Sequence, residues 1–190
     1  MTLPYSLLAP YYRSVMEHVD YKRWGTYLEK LLKLHNRFPK TMLEVGAGAG
    51  LLSPHFSPKS LEFRVTTDIC YEMISQADKK SAGFLAVADA TALPFQGQFD
   101  LILMTYDAIN YLTKPQIQKF FKSVRSLLSP KGVFIFDAAT EFNSENYFDD
   151  LLQLETVVMS NSITLVEAYA FRHCSNLKNI TLSENINPDT

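Results

Sequence analysis

The apolar positions of the chain alternate between helical and strand spacing. From Asp20 onward, Trp24, Tyr27, Leu28, Leu31 and Leu32 fall on one helical face, and Lys22, Arg23, Glu29, Lys30 and Lys33 fall on the other. This predicts an amphipathic helix that ends near Pro39. TMLEV (41–45) then predicts a short strand stopped by glycines, and LLSPHF (51–56) a helix that tolerates Pro54 in its first turn. The alternation continues with LEFRVTTD (61–68) as strand, YEMISQADKK (71–80) as helix, and FLAVAD (84–89) and FDLILMTYD (99–107) as strands. The last of these is a continuous apolar run, as expected for a strand covered on both faces of a parallel sheet. Thr113 to Gln116 forms a capping box, with Pro115 in the first turn of a helix whose apolar positions are Ile117, Phe120, Phe121, Val124, Leu127 and Leu128. That helix stops at Ser129-Pro130-Lys131-Gly132, before a further strand, VFIFD (133–137).

Strands alternating with helices over residues 40–137 predict an α/β fold. The expected form is a doubly wound, Rossmann-like sandwich of five mainly parallel strands joined by right-handed crossovers. Beyond Asp137 the pattern changes. ATEFNSENYFDD is acidic and loop-like, and LETVVMS, ITLVEAYAFRH and LKNITLS read as a C-terminal antiparallel strand insert with no repeat in it. The chain is therefore read as one domain, with an N-terminal helical segment (1–39), a core (40–137) and extra β segments (138–190).

Composition narrows the setting. With 190 residues, 47% of them hydrophobic, and a net charge of −2, the chain can fill one core but has no basic stripe to neutralise a nucleic-acid backbone. The first residues, MTLPYSLLAPYYRS, carry neither a charged leader nor an apolar run of membrane length, which points to a cytoplasmic protein away from membranes. Cys70 and Cys174 are too few for a disulfide framework and lack partners at zinc spacing, so no metal site is expected. His173 reads as a residue on a solvated strand face, and Asn179-Ile180-Thr181 as a sequon without a secretory context.

Three of the seven glycines lie in Gly46-Ala47-Gly48-Ala49-Gly50, directly after the first predicted strand. A P-loop would follow its last glycine with Lys-Ser/Thr, where Leu51-Leu52 stand. A dinucleotide fingerprint would need a small residue at Leu51. The run from Glu44 to Gly50 instead satisfies E/D-x-G-x-G-x-G, and there the chain resembles the class I S-adenosylmethionine-dependent methyltransferases. Four later segments extend the resemblance in order: DICYEM, AVADATALPF, FDLILMTYDAINYL and LLSPKGVFIFD.

The resemblance implies S-adenosyl-L-methionine as cofactor, a ligand without phosphates that needs close backbone approach. It implies that Gly46, Ala47, Gly48 and Gly50 form the cofactor loop and that Glu44 orients the ligand ammonium directly or through water. Asp68, 24 residues after Glu44, would accept both ribose hydroxyls, its alternative role being a helix N-cap. Ile69 and Met73 would flank the adenine, Asp89 and Ala90 would contact its amino group and ring, and Thr105 and Tyr106 would lie beneath the ligand. YSLLAPYYRSVMEHVDYKRW is similar to a Tyr-rich helix that folds over the cofactor in small bacterial members. This makes Tyr5, Tyr11 and Tyr12 lid candidates, with Tyr11 as the expected cofactor contact and ordinary packing as the alternative.

Methyl transfer from a sulfonium is an in-line displacement in which the protein mainly positions and desolvates, so a base is optional. The catalytic candidates are Tyr106, Asp107 and Asn110, with Asp137 after the next strand, since ligands bind outside the carboxyl ends of strands in open α/β sheets. Asp107 and Asn110 could instead cap the turn DAINYLT. The expected activity is methylation of a small-molecule acceptor. The alternatives are a cofactor-binding pseudoenzyme or scaffold and, less favoured, an aminopropyltransferase, for which Asp107 alone makes a thin acidic pocket. Only 53 residues follow Asp137, and they show no long helix between two strands of the kind that closes the family sheet. The exposed edge this would leave, or the C-terminal strands, leaves room for a homodimer.

Overall fold

The computed structural model describes residues 5–139, together with the backbone of two short strands at 156–158 and 179–181. Two compact units divide at Ala90. The first holds α1 (Ala9–Val15), α2 (Tyr21–Leu34), β1 (Thr41–Val45), β2 (Phe63–Asp68), α3 (Tyr71–Ile74), α4 (Lys79–Ala82) and β3 (Phe84–Val87). The second holds β4 (Phe99–Met104), α5 (Lys114–Leu127), β5 (Leu128–Phe136), β6 (Thr156–Val158) and β7 (Asn179–Thr181). The strand order is β3-β2-β1-β4-β5, with the described pairs β1/β2, β2/β3 and β4/β5 all parallel. This is the doubly wound α/β core that the alternation predicts.

Local chemistry explains most boundaries. Asp20 caps α2 by accepting the Arg23 N–H at 2.9 Å, and α2 ends at Leu34, short of Pro39. In the capping box of α5, Gln116 Oε1 accepts the Thr113 N–H at 2.8 Å. β1 buries Met42, Leu43 and Val45 together with the charged Glu44, and β4 buries Leu101, Ile102, Leu103 and Met104. β4 stops at Met104 rather than Asp107, because Tyr106 and Asp107 adopt left-handed φ values of 60° and 50° that a strand cannot continue through. Phe99 pairs with Leu128 but Leu101 pairs with Val133, so Ser129 to Gly132 bulge out within β5.

Three expectations are corrected. LLSPHF forms only a 3-10 turn, Ser53–His55. Residues 71–80 contain no single helix, because α3 ends at Ile74 and a new N-cap at Asp78 accepts the Lys80 N–H at 3.2 Å. The C-terminal insert is not antiparallel where it is described: β6 and β7 are parallel, Thr156 opposite Asn179 and Val158 opposite Thr181. The physical reason is the connection, since residues 159–178 are long enough for the crossover that a parallel pair requires. The offset across this pair is 23 residues. The sequence carries the same period in Phe148/Phe171, Leu154/Leu177, Val157/Ile180, Met159/Leu182 and Ile163/Ile186. The side chains of His173 and Cys174 lie outside the described residues.

Candidate active site

In the first unit the glycine loop leaves β1 and turns back against the end of β2. Ala47 N–H donates to the Thr67 carbonyl at 2.9 Å, and Gly50 N–H to the Ala47 carbonyl at 2.9 Å. Gly48 sits at φ +57°, and a Cβ there would lie 3.2 Å from Met73 Cε and 3.8 Å from the Tyr12 ring. A side chain at this position would be strained and would fill the space over the loop. Gly50, at φ +64°, packs so closely that a Cβ would come within 2.7 Å of Ala77 Cβ.

Asp68 ends β2 with both carboxylate oxygens held by main-chain donors. Gly48 N–H donates to Oδ2 at 2.7 Å and Cys70 N–H to Oδ1 at 2.8 Å. The Cys70 bond is a turn that leads into α3, whose N-cap position is Cys70 and which has no side-chain cap bond. Each oxygen of an ionised carboxylate accepts more than one hydrogen bond, so Asp68 keeps capacity for two hydroxyl donors. Ile69 is exposed, Met73 is buried against the loop, Asp89 is exposed after β3, and Ala90 opens a short 3-10 turn. The Ala88 N–H, donating to the Asp68 carbonyl at 3.0 Å, ties these two strand ends together.

Glu44 is deeply buried, 2% exposed, and accepts the Ser53 hydroxyl at 3.3 Å. Burial pushes its carboxyl up, while Arg64 and the Ser53 hydrogen bond pull it back. On α1, Tyr11 is 67% exposed, whereas Tyr12 faces Gly48 and packs edge-on against Tyr5 with ring centroids 6.0 Å apart. Ala9, Ala49, Leu51, Cys70 and Met73 form the apolar cluster beneath, joined by Tyr12, Met16 and Tyr21. Burial, with Tyr12 nearby, pushes the Tyr21 hydroxyl far above its ordinary range. Of the lid candidates that the resemblance implies, Tyr11 is exposed on α1 and Tyr12 is the one beside Gly48.

Comparison with known proteins bears directly on this geometry. Residues 42–132 match the family described as a methyltransferase domain. A Bacillus subtilis protein named a putative methyltransferase, YqeM, is 32% identical over 153 residues, covering 77% of this chain and 60% of its own length. A crystal structure of an S-adenosylmethionine-dependent methyltransferase from Clostridium acetobutylicum superposes with a TM-score of 0.64 at 30% identity, covering 75% of this chain and 61% of that one. Residues 42–132 are a class I methyltransferase domain. The chain spans about 60% of the length of these two relatives. Residues 134–188 match a different family, the BspA type leucine rich repeat region, in agreement with the 23-residue offset of β6 and β7.

The second unit places the other candidates of the methyltransferase domain. Thr105 is buried at the end of β4 and is followed by the left-handed pair Tyr106 and Asp107. Asp107 N–H donates to Asp137 Oδ2 at 2.9 Å, which joins the carboxyl ends of β4 and β5. Asp107 does not use its side chain as a cap; burial and then the Asp137 charge raise its carboxyl to about 6. Asp137 is likewise raised by burial, against the pull of main-chain N–H groups that include those of Asp107 and Tyr106. Asn110 is engaged at both ends of its amide: Nδ2 donates to the Ala139 carbonyl at 2.9 Å, and Oδ1 accepts the Ala139 N–H at 3.0 Å. It is a clamp on the chain after β5. Sequence reading did not single out Arg64, Ser53, Thr66 or Thr67 for a role, although a charged residue and two threonines inside a run predicted as buried strand were a visible signal.

Proposed function

We propose that this chain binds S-adenosyl-L-methionine at the glycine loop and transfers its methyl group to a small-molecule acceptor. The observation that carries the reading is the Gly48–Asp68 hydrogen bond, which fixes a carboxylate at the end of β2 against a side-chain-free loop. The donor set suits the cofactor: a carboxylate for the ribose, a close backbone, and no Lys-Ser/Thr pair of the kind that grips a phosphate. When bound, the cofactor supplies a methyl group that is already activated. Within this reading, Gly46, Ala47, Gly48 and Gly50 line the loop and Asp68 takes the ribose hydroxyls. Tyr12 rather than Tyr11 covers the loop. Ile69, Asp89, Ala90, Thr105 and Tyr106 are carried by the motif resemblance, and Met73 by its contact with the loop as well.

Asp107 is the group suited to take a proton from an acceptor, since its carboxyl titrates near 6 and is half-buried. Asp137 and Asn110 position it and the chain that follows. Cytoplasmic residence and a homodimer through a sheet edge or the C-terminal strands belong to the same proposal, the dimer being open to light scattering. For the tail, the repeat match supports an appended repeat segment over a methyltransferase insert. The main test is thermal: saturating S-adenosyl-L-methionine raises the melting temperature of the wild-type chain through preferential binding to the native state. The shift is expected to vanish in Asp68→Ala. No shift in the wild type would overturn the cofactor reading.

A further inference from the structure

Arg64 is an unusual occupant of a buried parallel strand. It is 5% exposed on β2, where an aliphatic side chain would be the ordinary choice. Its Nη1 donates to the Ser53 carbonyl at 3.1 Å and to the Ser81 carbonyl at 2.6 Å, and its Nη2 donates to the Phe56 carbonyl. Ser53 and Phe56 bracket the 3-10 turn that follows the glycine loop, and Ser81 lies in the last turn of α4. One guanidinium therefore collects three carbonyls that have no ladder partner, a task for which its planar fork of donors is suited and a lysine is not. The same Ser53 passes its hydroxyl to Glu44 Oε2 at 3.3 Å, and Thr67 Oγ1 donates to the Glu44 main-chain carbonyl at 2.9 Å.

We propose that Arg64 is the positioning residue of the glycine loop: it pins the Ser53–Phe56 turn and, through Ser53, fixes the place of the Glu44 side chain. This rests on the cofactor reading only for its consequence in binding. Among the described residues, Arg64 from β2 and Ser53 from the turn are the side chains that favour the charged form of Glu44, against a burial that raises its carboxyl overall. The charged groups of the neighbouring elements, Lys22 and Arg23 on α2, His55 on the turn, and Lys79 and Lys80 on α4, are exposed. A carboxylate this deep is disfavoured in its charged form without a nearby cation. Arg64 is in turn disfavoured by burial and supported by Glu44. Arg64 and Glu44 are linked through Ser53, whose carbonyl accepts from the one and whose hydroxyl donates to the other, so the three residues behave as a unit.

The test uses the full chain with Arg64→Met, Arg64→Lys, Ser53→Ala, Glu44→Gln and the Arg64→Met/Glu44→Gln double variant. Infrared difference spectra, with no ligand present, should show the Glu44 carboxyl band, identified by its loss in Glu44→Gln and in the double variant, displaced in Arg64→Met relative to wild type. Cofactor affinity in Arg64→Met should fall at least about ten-fold, and Arg64→Lys, which lacks the planar fork, should restore only part of it. The double variant should bind no worse than Glu44→Gln alone, because the two act as a unit. Ser53→Ala, the mildest change, removes the hydroxyl that donates to Glu44 and should displace the same carboxyl band if Arg64→Met fails to fold. A wild-type carboxyl spectrum in both Arg64→Met and Ser53→Ala, or a loss that adds to that of Glu44→Gln, would overturn the proposal. If the wild type shows no cofactor binding, the cofactor reading fails, and the infrared arm still decides the role of Arg64.

Discussion

Single residues carry the chemistry of this chain, and two of them make sharp predictions. Gly48 is left-handed, and a Cβ would crowd Met73 Cε at 3.2 Å, so Gly48→Ala combines backbone strain of about 1 kcal/mol with an obstructed loop. Cofactor affinity should fall by more than melting temperature does, as measured by calorimetric titration beside a thermal scan. Asp107 titrates near 6 in the folded chain against 3.8 for the free side chain. Its folded state thus holds the proton more tightly than the unfolded state. The stability this contributes is present below about pH 4 and is lost as pH rises through about 6. Asp107→Asn should therefore raise the melting temperature at pH 7 relative to wild type, with the gain shrinking towards pH 4. If Asp107 also accepts the acceptor proton, wild-type kcat/KM falls below pH 6 and Asp107→Asn loses that limb. The glycine turn after β1 and the position of Asp68 at the end of β2 were legible in the sequence. The roles of Asp107 and Asn110 were not, because the left-handed backbone at 106 and 107 and the partners Asp137 and Ala139 lie about thirty residues apart in sequence.

At the scale of elements, the glycine loop is set by what packs behind it. α2 lies so close to the 3-10 turn that a Cβ on Gly25 would meet the His55 carbonyl oxygen at 1.9 Å. Gly25→Ala would ordinarily favour a helix by about 1 kcal/mol, yet here the clash is with main chain and has no flexible partner to move. The expected outcome is a lower melting temperature and a weakened cofactor-induced shift, and an unchanged scan would show that α2 does not hold the turn. The amphipathic pattern of α2 was plain in the sequence, and so was its Asp20 cap. The close approach at Gly25 was invisible there, since a mid-helix glycine reads only as a weak helix former. For the same reason the helix expected at LLSPHF was cut to one turn: carbonyls of Ser53 and Phe56 turn to Arg64 instead of to helical N–H groups.

At the scale of the whole molecule, two family matches meet near residue 134. Residues 42–132 match a methyltransferase domain and residues 134–188 a leucine rich repeat region. If the tail is a repeat array, its units interact chiefly with their neighbours. Removing one whole period, residues 156–178, should then leave the remainder in phase and the cofactor-induced melting shift intact. Removing about half a period should expose the tail to limited proteolysis. Equal proteolysis of the two deletions would count against the array. The period was present in the sequence all along, in pairs such as Phe148/Phe171 and Leu154/Leu177, but reading each segment separately for strand alternation hides a spacing of 23. By itself the sequence determined the β/α alternation, the glycine turn after β1 and the place of Asp68 at the end of β2, because these rest on local periodicity and on short, ordered spacings. Only the tertiary structure decided that Tyr12 faces the loop, that Glu44 is buried with Ser53 and Arg64 behind it, and that β6 and β7 run parallel. Those outcomes depend on which side chains meet across elements distant in the chain, and burial and hydrogen-bond geometry act only once the elements are packed.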